Sequence, residues 1–257
     1  MSIVNKVKEE GDNVLQNIKI WRMVFSSQED ENYMLPLVSF VLMLFENIFG
    51  ASVMNSEPCI LYNDKEAEYP MLIRNCTPVR IRTCATNLTY WCQFIYQLSH
   101  EMTHFVIRQY KTDKTVIIKW FEETICEAMS LYILHLASLR WNECGLYLIN
   151  SNYGRALDDY CKNEYLHTNQ SVLSQCYTLT ELECVENTCE KNRVGRSLER
   201  NYLFDVFCEM PTSISEFVYY PMYMRGDLQV DFEQWTSRQK DDQLVPRLKA
   251  IQPKLAV

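Results

Sequence analysis

Residues 79–109 read VRIRTCATNLTYWCQFIYQLSHEMTHFVIRQ, and their pattern decides the fold class. Val79 and Ile81 alternate with Arg80 and Arg82, the period of two expected of a strand over 79–84 with one wet face. Thr86 or Asn87 then offers a side-chain oxygen to open a helix that runs to about Gln109. Along it Leu88, Trp91, Ile95, Leu98, Met102 and Phe105 recur at steps of three and four, an apolar stripe that needs a core to face. Gln93, Gln97, His100 and His104 fall on another side, suited to lining a cleft. A strand feeding a long amphipathic helix, with more short strands before it and more helices after it, places the chain in the α+β class.

Working outward, Val4, Val7, Val14, Ile18 and Trp21 share one helical side, so a helix is expected over 3–25. A polar loop over 26–32 and a second helix over 35–48 follow. The most apolar run, Met34 to Phe45, carries Pro36 and Ser39 and stops at Glu46. It is shorter than the roughly 20 residues of a membrane span, so it reads as a buried helix. Short strands are expected at 59–62 and 71–73, joined by the charged turn 63–70. Beyond the central helix, further helices are expected over about 116–141, 145–165, 171–192, 196–209 and 231–250. A Tyr-rich loop at 211–227 is punctuated by Pro211 and Pro221. No Pro/Gly/Ser-rich linker interrupts the chain, which is therefore expected to form a single domain over 1–257. Its parts are a helical 1–55, a sheet with the metal-site helices over 56–141, and a helical 142–257.

Composition removes several functions. With only six glycines there is no GxGxxG and no GxxxxGK[ST], so a Gly-rich phosphate cradle is excluded. A net charge of −8 argues against a nucleic-acid partner, which needs a basic footprint. The start, Met1 to Asn17, is charged and amphipathic rather than an apolar leader. The eleven cysteines are therefore expected to be reduced thiols in the cytoplasm, with no membrane partner.

Ser99-His100-Glu101-Met102-Thr103-His104 contains HExxH. On a helix, residues four apart lie one turn apart on the same face, so both imidazoles reach one ion. Glu101 is offset enough to miss the ion and act on water beside it as a general base. That arrangement points to a zinc-dependent hydrolase. Zinc then needs a third protein ligand. A Gly three residues and a His six residues after His104 would complete one known pattern, but Ile107 and Tyr110 stand there. The segment Trp120 to Ala128 is the better source. Glu123 lies on a second helix and offers the third ligand, with Glu122 as the alternative. Glu127, one turn beyond Glu123, is placed to accept a hydrogen bond from a ligand histidine.

Residues 78–140 resemble the gluzincins, the thermolysin-like clan of zinc metallopeptidases. His100, Glu101 and His104 match the first motif, Glu123 the ligand from the second helix, and Glu127 the acid four positions on, where Asp is commoner in that clan. The resemblance implies a zincin-like fold, with a small antiparallel or mixed sheet packed on the HExxH helix, and a Zn2+ cofactor. It also implies a peptide or protein substrate aligned along the strand ahead of the helix. Enzymes of this type usually add a Tyr, His or Arg to stabilise the oxyanion. The residues considered for that role are Tyr223, Arg225 and His167. Two other functions stay open: a non-catalytic zincin-fold binding or regulatory module, and a metal-dependent hydrolase of a non-peptide amide.

Overall fold

The computed structural model describes residues 21–25, 27–111, 117–166, 169–239 and 243–256. They are α+β, with a small mixed sheet among many helices. The chain divides into two compact units, Met1–Phe105 with Ser130–Lys162, and Val106–Met129 with Asn163–Val257.

The first unit is built on the sheet. Strands β1 (Trp21–Val24), β2 (Cys59–Asn63), β3 (Met71–Ile73) and β4 (Val79–Thr83) lie in the order β1-β2-β4-β3. β1 pairs parallel with β2 and β2 parallel with β4, while β3 runs antiparallel on the edge. Cys59, Leu61, Leu72, Val79 and Ile81 are buried, whereas Arg80 is exposed, so the expected wet face of β4 is present. Parallel neighbours need a long crossover, and helix α1 (Gln28–Phe49) lies in the connection from β1 to β2. A single turn, α2 (Ala51–Met54), follows it.

Here the N-terminal expectation is corrected. The helix expected over 3–25 is a strand at Trp21–Val24, and residues 1–20 lie outside those described. The strand forms because the backbone of 21–24 pairs in register with 59–62, and the Trp21 indole donates to Met54 O at 2.8 Å. The loop expected over 26–32 is also corrected. Ser27 accepts from Asp30 N at 3.1 Å, and this cap starts α1 at Gln28, ahead of Pro36. The helix ends at Gly50, whose φ of 83° suits a residue without a side chain. By length and composition Asp30–Phe49 is apolar enough to cross a membrane, and most of its residues are buried within the protein.

Helix α3 (Trp91–Arg108) is set against the sheet by two polar clamps. Asn63 brackets the chain as it leaves β4, accepting from Thr83 Oγ1 and Ala85 N and donating to Ala85 O, each at 2.9 Å. Gln97 Oε1 then accepts from Cys84 N at 3.0 Å, tying the strand exit to the second turn of the helix. The stripe Leu88, Trp91, Ile95, Leu98, Met102 and Phe105 is buried as expected. Trp91 stacks on Trp141 with ring centroids 5.6 Å apart, and Tyr153 packs against both. Tyr153 begins α5 (Tyr153–Leu166), which two short 3-10 turns precede where continuous helix was expected from 145.

The second unit contains the start of helix α4 (Lys119–Leu139), α6 (Leu179–Thr188), α7 (Ser197–Glu209), α8 (Phe232–Arg238) and α9 (Leu244–Lys249). The Glu186 carboxylate accepts from Lys119 N at 2.8 Å and Trp120 N at 2.9 Å, so a side chain of α6 caps α4. Arg196 is fully buried and makes four side-chain hydrogen bonds. It donates to Thr124 Oγ1, to the carbonyls of Cys189 and Asn192, and to Glu127 Oε1 at 3.0 Å. The Tyr-rich segment is a 3-10 run over Ile214–Tyr223 rather than a loop, with Phe217, Tyr220 and Tyr223 buried.

Candidate metal centre

HExxH sits on α3 at its most enclosed stretch, where every residue from Leu98 to Arg108 is buried. His100, Glu101 and His104 are 2%, 4% and 4% exposed. On the polar side expected to line a cleft, Gln97, His100 and His104 are buried and Gln93 is partly exposed. One helical turn brings the two imidazoles together, with ring centroids 5.0 Å apart and ring planes at 72°. Thr103, between them in sequence, turns its hydroxyl back to Ser99 O at 2.8 Å and keeps out of their way.

The described residues contain one group with the make-up of a metal site: His100, His104 and Cys126, whose ligand atoms all lie within 4.8 Å of one another. All three are buried. Two imidazoles and a thiol form a nitrogen–sulfur set of the kind that suits zinc, and hard oxygen-seeking cations suit it poorly. The donors therefore fit the ion expected from the sequence.

Cys126 is the residue that the sequence analysis passed over. The signal for it was present. Cys126 lies three residues after Glu123 and one before Glu127 on α4, inside the segment already chosen for the third ligand. Glu123 stands one turn earlier and is 8% exposed. Glu127 is fully buried, and its Oε1 accepts from Arg196. Glu122, the alternative third ligand, is committed elsewhere. It takes Lys111 Nζ at 2.7 Å in an ion pair closed to solvent, and it accepts from the Tyr220 hydroxyl.

Arg74, just beyond β3, brings Nη2 to 3.3 Å from His104 Nδ1. An arginine N–H can only donate, so in this contact Nδ1 accepts and the ring proton stays on Nε2. A metal taken at Nε2 requires the opposite tautomer, with a proton on Nδ1 that arginine cannot accept. The Arg74 contact and metal capture through Nε2 thus exclude each other.

The residues considered for the oxyanion are placed as follows. Tyr223 is buried and stacks on Trp235 with centroids 5.2 Å apart. Arg225 is exposed and pairs with Asp227 at 2.6 Å. His167 lies outside the described residues.

No family model, no curated protein and no solved structure matches this chain.

Proposed function

We propose that the chain is a zinc-dependent hydrolase that cleaves amide bonds, with Glu101 as the general base. The observation that carries this reading is the buried group of His100, His104 and Cys126 with a glutamate next to the first histidine on the same helix. A bound zinc ion supplies Lewis acidity, making a water acidic and polarising the scissile carbonyl. His100 and His104 would hold the ion from one face of α3, with Cys126 of α4 as the third donor. Glu101 accepts the proton of the attacking water and delivers it to the departing amine. Burial strengthens each of these interactions by excluding competing solvent. A peptide or protein as substrate rests on the likeness of residues 78–140 to the gluzincins.

One observation favours a second reading, a closed metal centre without catalysis. Structural zinc sites are sealed and often use thiolates, whereas catalytic ones keep a position open. Cys126 is a sulfur donor and is fully buried.

Two measurements separate the readings. Elemental mass spectrometry of protein purified without added metal should find zinc, and a protein that takes up none after zinc exposure refutes both. Glu101→Gln should keep the metal and lose at least about a hundredfold in hydrolysis of a peptide library. Zinc-loaded parent protein that cleaves neither peptides nor simple amides would establish the closed centre instead.

A further inference from the structure

The second unit contains a cleft of about 550 Å³ that no residue of the metal centre lines. That is the size of a small-molecule site. Leu173, Tyr177, Leu198, Tyr202, Ile251 and Pro253 make its walls mostly apolar. Backbone hydrogen bonds hold the walls together: Val172 N to Gly195 O at 2.7 Å, Leu198 N to Gln170 O at 3.0 Å, and Ala256 N to Tyr177 O at 2.7 Å. Gly195 permits the close approach of its segment, since a Cβ there would meet Val172 Cγ1 at 2.9 Å.

Two charged residues stand in the lining, the buried Glu199 and the exposed Lys254, beside the polar Ser171, Ser174 and Gln252. Glu199, on the first turn of α7, is 7% exposed. Its Oε1 accepts from the Ser171 hydroxyl. Its Oε2 is buried and has no hydrogen-bond partner among the described residues. A buried carboxylate oxygen left in this state has lost its water without a replacement, which costs more when the group is charged. The surroundings pull in two directions. Burial pushes the carboxyl above its ordinary range, while the Ser171 hydroxyl, its own backbone N–H and the Arg196 charge favour the ionised form. A cationic donor at the carboxylate would settle the group as ionised.

We propose that this cleft binds a small apolar molecule bearing a primary ammonium group, with the ammonium at the Glu199 carboxylate and the apolar body against the walls. A neutral alcohol of the same shape matches the walls but not the buried charge, and a carboxylate meets the like charge of Glu199, with only the exposed Lys254 to attract it. Burial and the nearby Glu181 hold the Cys176 thiol above its ordinary pKa, so it stays protonated and the ligand binds reversibly.

The test uses the full chain and three shape-matched probes, 2-phenylethylamine, 2-phenylethanol and 3-phenylpropanoate, with affinities from ligand-observed NMR titration at pH 7.5. The amine should bind at least about tenfold more tightly than the alcohol, as one charge-assisted hydrogen bond allows, and the acid should bind more weakly than the amine. Glu199→Gln should erase the preference for the amine while leaving the alcohol affinity in place. Ala250→Trp, at an exposed position of the cleft wall, should weaken all three probes. Melting midpoints near the parent's show that both variants fold. Equal affinity of amine and alcohol for the parent protein, no binding at millimolar concentration, or amine binding untouched by Ala250→Trp would each overturn the proposal. These outcomes are independent of zinc content and of hydrolysis.

Discussion

At the scale of single residues, the proposed metal centre would turn on where two protons sit. As general base Glu101 would take one, and His104 would release the one on Nε2 to bind an ion there. Arg74 favours the tautomer that keeps that proton, because its guanidinium can donate to Nδ1 and never accept. Replacing Arg74 with Gln offers Nδ1 an acceptor in place of a donor and removes a positive charge from beside the ion. We predict that Arg74→Gln binds zinc about tenfold more tightly, the lower end of what a partner of a ligand histidine is worth. Competition with a chromogenic chelator reads this directly. Unchanged or weaker affinity would show that Arg74 does not oppose the ion. A substitution at Glu127 has a different meaning, because its carboxylate balances the buried Arg196 and its loss strands that charge.

At the scale of elements, α4 carries Cys126 and Glu123, and its first turn depends on a neighbour. Two of its leading N–H groups end on the Glu186 carboxylate of α6 rather than on a cap from its own chain segment. Glu186→Ala should therefore destabilise the second unit by about 1–2 kcal/mol, the range for losing a charged cap. Urea unfolding gives the value, and a midpoint equal to that of the parent would argue that water replaces the cap without loss. Much at this scale was legible beforehand. The stripe of α3, the alternation of β4 and the edge strand at 71–73 are local patterns, and local patterns survive folding. β1 was not legible, because Trp21 sits equally well on a helical stripe, and only pairing with Cys59, far along the chain, makes it a strand. Ser27 was readable as a cap, but the polar run over 26–32 reads as a loop, which set the expected helix start too late. Cys126 was hidden for another reason: the segment was read for carboxylates at ligand spacing, and which donor turns toward two histidines depends on how the helices meet.

At the scale of the whole molecule, buried thiols set a limit at high pH. None of the eleven cysteines, all of them among the described residues, is in a disulfide. Burial pushes Cys189 up to about 12, with the Arg196 charge only partly offsetting it, and it raises Cys59 and Cys92 as well. Tyr153, against Cys92, moves the same way, mainly by burial. In the unfolded chain a thiol ionises near 9.0. Between that pH and the folded value the unfolded state has lost protons that the folded state keeps, so stability falls as pH rises, by at most about 1.4 kcal/mol per unit per thiol. Urea midpoints measured under reductant should hold to pH 8.5 and drop steadily toward pH 10.5. A flat profile across that range would mean the thiols are not held protonated by the fold.

The order in which the chain is made gives one earlier contact a further meaning. Lys111 and Glu122 belong to a sealed polar group that Tyr220 completes, 98 residues after Glu122. At the roughly 5–20 residues per second of a ribosome, that tyrosine arrives about 5–20 s after its partner. During that interval Trp120, Phe121 and Ile125, all buried in the finished protein, have no completed unit to enter. The nascent chain therefore carries a sticky, half-built segment for seconds. That window is when a chaperone has most to gain by holding it.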